Sequence, residues 1–152
     1  MVGIDTVKIL VVEDDEIDRL AFKRAAKLYH IKLDVDLVTS LEETREALTN
    51  RSYDVIFTDY YLDDGTAKDV IQLCGSTPVL VATGTNDIQI AVDILKDGAY
   101  DFLVKDIDRS YLRVLPYTIE KVLEKRKALE SQHILSSVVT NIRENVIIIN
   151  EN

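Results

Sequence analysis

Short apolar runs alternate with longer amphipathic stretches along most of this chain. Val7 to Val12 reads VKILVV, a β-branched run that stops abruptly at acids, the pattern of a strand covered on both faces. Glu16 to Tyr29 carries Ile17, Leu20, Ala21, Ala25 and Leu28 at helical spacing, which predicts a helix with those residues as its apolar face. Leu33 to Val38 alternates apolar and acidic residues and suits a second strand. Ser40 stands before LEETREAL with Glu43 three residues on, a capping box opening a second helix. Asp54 to Thr58 reads as a third strand, followed by DYYLDDG as a loop and a short helix from Thr66 to Leu73.

Pro78 opens PVLVAT, a fourth strand that Gly84 ends. Asp87 to Lys96 predicts a helix with Ile88, Ala91, Val92 and Leu95 on one face, and Gly98 lies where a C′ glycine belongs. Tyr100 to Val104 is the fifth strand, and a long helical stretch begins near Arg109. This strand and helix alternation predicts an α/β fold with a parallel sheet, helices on both faces and right-handed crossovers. Sites in such sheets form at the carboxyl ends of the strands.

The residues at those ends suit one chemistry. Strand one runs into Glu13, Asp14 and Asp15; strand three into Asp59; strand four into Thr83 and Gly84; strand five into Lys105. Mg²⁺ takes oxygen ligands in octahedral geometry, and Glu13, Asp14 and Asp59 form a carboxylate set for it, with Mn²⁺ as a substitute. A carboxylate such as Asp59 can act as a nucleophile and form an aspartyl phosphate. Lys105 and the Thr83 hydroxyl would meet the charge spread over a transferred phosphoryl group. Gly84 leaves room for that group and exposes a backbone N–H. Taken singly, each residue reads as an ordinary loop acid, strand-end threonine or surface lysine. The set, in this strand order, is what carries the reading.

Composition narrows the partners. Hydrophobic residues make up 47% of the 152 residues, enough for a core, and the formal net charge is -9. Such acidity disfavours direct nucleic-acid binding. Cys74 is the sole cysteine, so no intrachain disulfide forms. The opening MVGIDTVKIL lacks signal-peptide character, and no apolar run approaches the roughly 20 residues that span a bilayer. The expectation is a cytoplasmic domain without membrane insertion.

The segments KILVVEDDE, DVIFTDYYLDDG, PVLVATG and GAYDFLVKD resemble the receiver domains of response regulators, over roughly Thr6 to Glu124. The resemblance implies a flavodoxin-like five-stranded parallel sheet of order 2-1-3-4-5. It implies a histidine kinase or phosphotransfer protein as phosphoryl donor to Asp59. It matches Glu13 and Asp14 to the Mg²⁺ acids, Asp14 the more direct, and the Tyr61 backbone carbonyl to a third protein ligand. Thr83 and Lys105 match the family's hydroxyl and lysine, and Phe102 its aromatic switch residue. Movement of Thr83 and Phe102 on phosphorylation would reshape the face of the fourth helix, fifth strand and last helix. Tyr61 and Thr85 fall at positions that tune phosphoryl lifetime in the family. This chain departs from the family in having Asp63 for the usual Pro, Ala67 for Gly, and Asp106 for the Pro after the lysine.

The chain is expected to divide into a receiver domain at 1–125, a helical linker at 126–140 and a tail at 141–152. Leu115, Val122 and Leu129 are seven apart, with Ile119, Arg126 and His133 as a second series, so a homodimeric coiled coil is one outcome and an extension packed on its own domain another. NVIIIN, from Asn145 to Asn150, reads as a strand and resembles the opening of a PAS domain, which implies a longer receiver–PAS protein such as a hybrid sensor with a downstream domain. Two other functions stand beside the phosphoacceptor: a degenerate receiver that only binds or dimerises, and a Mg²⁺-dependent phosphatase with an aspartyl nucleophile. The phosphatase reading expects a second acid two residues after the nucleophile, where Tyr61 stands.

Overall fold

The computed structural model describes residues 6–84 and 88–150, with side chains through Glu130. Its elements are β1 (Val7–Val12), α1 (Glu16–Ala26), β2 (Leu33–Val38), α2 (Leu41–Asn50), β3 (Val55–Asp59), β4 (Tyr61–Leu62), β5 (Gly65–Thr66), α3 (Ala67–Leu73), β6 (Val79–Gly84), α4 (Ile88–Asp97), β7 (Asp101–Lys105) and α5 (Tyr111–Asn150). The main sheet runs β2-β1-β3-β6-β7, all parallel. This is the order expected for five strands, with β6 and β7 as the fourth and fifth. Thr85 and Asp87 lie outside the described residues.

The three central strands are buried on both sides, as their unbroken β-branched runs require. Leu10, Val12, Ile56, Val79 and Val81 form one side of the core with Val70 and Ile94. The alternate residues face the other way, where Phe57 lies between Phe22 of α1 and Tyr111 of α5, with ring centroids 6.4 and 6.3 Å away.

The two helical faces read from sequence are partly corrected. On α1, Ile17 and Leu20 are 64% and 45% exposed while Phe22 is buried, and Leu28 lies in the turn beyond the helix, 87% exposed. Seating Phe22 on Phe57 turns the helix so that Asp18, one turn earlier on the same face, points inward too. On α4, Ala91 is buried as expected, but its inward partner is Ile94, and Ile88, Val92 and Leu95 are exposed.

The loop expected over DYYLDDG contains a small antiparallel hairpin, β4 against β5. Asp64 at its tip accepts the Leu41 and Glu42 N–H groups and so ties the hairpin to the start of α2. Gly65 is there for space: a Cβ would come within 2.3 Å of Leu41 and 2.6 Å of the Asp69 carboxylate. Ser40 accepts the Glu43 N–H, as its capping box requires. Glu43 reaches one residue further back than expected, to the Thr39 N–H.

Pro116 sits inside α5 and cannot donate to the Leu112 carbonyl. The Tyr29 hydroxyl supplies the missing donor, at 2.5 Å. Burial, with the nearby Tyr111, holds the Tyr29 hydroxyl well above its ordinary pKa. Burial likewise raises Tyr53, which donates to Asp36, and Tyr111, each to about 12. The neutral forms therefore stabilise the fold fully below the ordinary value near 10. That contribution is lost as pH rises through about 12. In a base titration these three tyrosines should ionise only as the helical circular dichroism collapses. Complete tyrosinate formation near pH 10 with the fold intact would contradict this.

The strand expected at NVIIIN is not formed, because α5 continues as helix to Asn150. Without that strand, the reading of residues 141–152 as the opening of a PAS-like domain has no structural support. The chain divides into two compact units, Met1–Ile119 and Glu120–Asn152. Leu115 and Ile119 are already fully buried within the first unit, so they are core residues there, and Leu129 of the second unit is exposed. The side chain of His133 lies outside the described residues. Among the described residues no helix is long and apolar enough to cross a membrane.

Candidate functional site

Parallel register brings the strand ends level. Val12 pairs with Thr58, Asp59 with Ala82, and Gly84 with Lys105, so Glu13, Asp59, Thr83 and Lys105 converge on one edge. Lys105 Nζ lies 2.7 Å from Glu13 Oε1, 2.7 Å from Asp18 Oδ2 and 3.1 Å from Asp59 Oδ2. The other Asp59 oxygen accepts the Tyr60 N–H at 2.9 Å. Oxygens of Glu13, Asp14 and Asp59 lie within 4.8 Å of one another. Arg109 donates to Asp18 at 3.1 Å and completes the charge network.

These carboxyls sit in unequal environments. Burial raises Glu13 to about 9; Lys105 opposes the shift and the charge of Asp59 adds to it. Burial also raises Asp14, helped by the charge of Asp63. Burial disfavours the charge on Asp18, but hydrogen bonds with Lys105 and Glu13 outweigh it and bring the carboxyl down to about 2. Burial would lower Lys105, yet its bonds to Asp18 and Glu13, with the charge of Asp59, hold the ammonium above its ordinary range.

The arrangement suits a hard divalent cation. Three carboxylates converge, and Glu13 Oε2 is buried with no hydrogen-bond partner. An orphaned buried acid oxygen beside two further acids is the donor set that such an ion satisfies.

Other expected residues take up the surroundings. Thr83 is buried at the end of β6, and Gly84 beside it is exposed. Thr83, Gly84, Phe102, Val104, Ile88, Ala91 and Val92 line a pocket between α4 and β7. Tyr61 lies in β4, its exposed ring edge-on to Tyr60 at 4.7 Å. Asp106 replaces the family's proline by accepting the Ser110 N–H, which shapes the turn into α5. One site residue was not legible in the sequence. Asp18 was hidden by the wrong helical phase for α1. Asp63, which stands where the family has proline, adds its negative charge to the surroundings of Asp14.

The fold is a doubly wound parallel sheet with an acid cluster and a lysine at its carboxyl edge, where sites of such sheets form. The family model described as the response regulator receiver domain matches residues 9–115, and the chain belongs to that family. It is 34% identical over 115 residues to the response regulator protein PilR of Pseudomonas aeruginosa, covering 73% of this chain and 25% of PilR. It is 30% identical over 132 residues to the transcriptional regulatory protein ZraR of Escherichia coli O157:H7, covering 84% of this chain and 29% of ZraR. The chain therefore spans under a third of the length of these relatives. A crystal structure of a response regulator receiver domain protein from Clostridium thermocellum superimposes with a TM-score of 0.70 at 23% identity, covering 81% of this chain and 98% of that one. At that identity the likeness speaks for the fold.

Proposed function

We propose that this chain is the phosphoacceptor module of a two-component phosphorelay, with Asp59 as the nucleophile. The observation that carries the reading is Asp59 at the tip of the central strand β3, 3.1 Å from Lys105 Nζ and clustered with Glu13 and Asp14. In the reaction an Asp59 oxygen forms a bond to phosphorus. The P–N bond of a phosphohistidine donor breaks, and the electron pair and a proton end on the imidazole. With acetyl phosphate the P–O bond breaks and acetate leaves with the pair. Lys105 and Thr83 stabilise charge on the transferred oxygens, and Gly84 leaves them space.

Glu13, Asp14, Asp59 and the Tyr61 backbone carbonyl would hold Mg²⁺, or Mn²⁺ in its place, and the ion would offset the charge of acids and phosphoryl group alike. The added charge biases Thr83 and Phe102, and with them the exposed apolar face of Ile88, Val92 and Val104. A sensor histidine kinase or phosphotransfer protein is the donor, and α5 passes the signal to a downstream domain of a longer multidomain protein.

The test is intact mass after incubation with Mg²⁺ and acetyl phosphate. Wild type should gain about 80 Da, abolished by EDTA and by Asp59→Asn, as loss of a nucleophilic carboxylate requires. No gain in wild type would favour a degenerate receiver that acts through binding alone.

A further inference from the structure

The bonding of Lys105 assigns a role to Asp18. Lys105 donates hydrogen bonds to Glu13 and Asp59, and its Nζ also lies 2.7 Å from Asp18 Oδ2 as an ion pair, so three carboxyls surround one ammonium. For Lys105 to serve a phosphoryl group on Asp59, Nζ must move outward along Asp59 and loosen at least one other bond. Glu13 is the poor choice: it is buried and accepts a hydrogen bond from Lys105 at 2.7 Å, whereas Asp18 meets Nζ as an ion pair alone. Asp18 is the good one, because Arg109 Nε and Nη2 both lie 3.1 Å from its Oδ1 and remain when Lys105 leaves.

The Arg109 backbone supports this reading. Its φ is 52°, the positive-φ non-glycine position among the described residues. A residue with a Cβ is strained there, and the conformation persists only where surrounding bonds fix it. The bond to Asp18 is such a restraint, and it ties the turn between β7 and α5 to α1.

We propose that Asp18 is a positioning residue that restrains Lys105 in the unphosphorylated protein and passes wholly to Arg109 when the phosphoryl group arrives. Arg109 thereby eases the release of Lys105, and the β7–α5 turn senses the state of Asp59 through a shared carboxylate. The inference rests on Asp59 being the phosphoacceptor.

Two variants that each remove one charge of the pair separate this role from simple stabilisation. Asp18→Asn and Arg109→Gln break the same ion pair, so a purely structural role moves both in the same direction. Release of Lys105 moves them oppositely. The readout is the acetyl phosphate concentration, in Mg²⁺, that gives half-maximal phosphorylation by intact mass, on variants that melt cooperatively. Asp18→Asn frees Lys105 and should lower it about threefold or more, while Arg109→Gln leaves Asp18 only Lys105 and should raise it by a similar factor, as expected for one charged hydrogen bond. The double variant should follow Asp18→Asn. Should Asp18→Asn fail to fold, Asp18→Ser takes its place in the same comparison with Arg109→Gln. Shifts of the same sign, or none in Arg109→Gln, overturn the proposal while a labelled wild type leaves the phosphoacceptor reading standing. An unlabelled wild type overturns both.

Discussion

Lys105→Met is expected to slow phosphorylation of Asp59 by acetyl phosphate about 100-fold, the usual effect of removing one fixed donor from a charged transition state. The ammonium is the cation nearest Asp59 and is held by carboxylates on two other elements, so it needs little rearrangement to meet the transferred group. The variant should still fold. Asp18 keeps its ion pair with Arg109 when the ammonium is removed. Lys105→Arg should recover only part of the rate, because a planar fork cannot satisfy the same converging acceptors. Initial rates by intact mass are the measurement. A Lys105→Met rate within about threefold of wild type would remove Lys105 from the reaction, since a lost charged contact should exceed that.

Ile56→Ala should destabilise the protein by about 2 to 5 kcal/mol. Ile56 is fully buried in the central strand, paired with Leu10 on one side and Val79 on the other. Neighbouring strands fix the backbone around it, so the cavity cannot collapse. The loss is a large part of the 5 to 15 kcal/mol that typically holds a domain together. Ile56 lies three residues before Asp59, so the change also loosens the strand that sets the site. Ile56→Val, which removes one methyl group, should cost only about 0.5 to 1.5 kcal/mol. Urea denaturation of both variants measures this, and an Ile56→Ala loss below about 1 kcal/mol would place Ile56 outside the tightly packed core.

The sheet was legible because a parallel strand covered on both faces leaves a plain trace: a short β-branched run that ends in polar residues. VKILVV, DVIFT and PVLVAT each carry it, and their ends gave Glu13, Asp59 and Thr83 directly. The phase of α1 was not legible. Its alanines fit either face, so Ile17, Leu20 and Leu28 outweighed a lone Phe22, and Asp18 went unread. Only the contact between Phe22 and Phe57, 35 residues apart in sequence, decides that phase. The hairpin β4–β5 was missed for a related reason. It depends on Asp64 reaching the start of α2, a long-range bond with no local pattern. NVIIIN has the β-branched composition of a strand, yet continuation of an existing helix prevails there, and periodicity cannot separate the two in a short apolar run.

The central claim is that the phosphoryl group resides on Asp59, and chemical trapping tests it most directly. Borohydride reduction after acetyl phosphate treatment converts an acyl phosphate to an alcohol, and peptide sequencing by mass locates it. The expected result is homoserine at position 59 alone. Homoserine at position 14 or 18, or reduction of no aspartate in a protein that has gained the phosphoryl mass, would contradict the account.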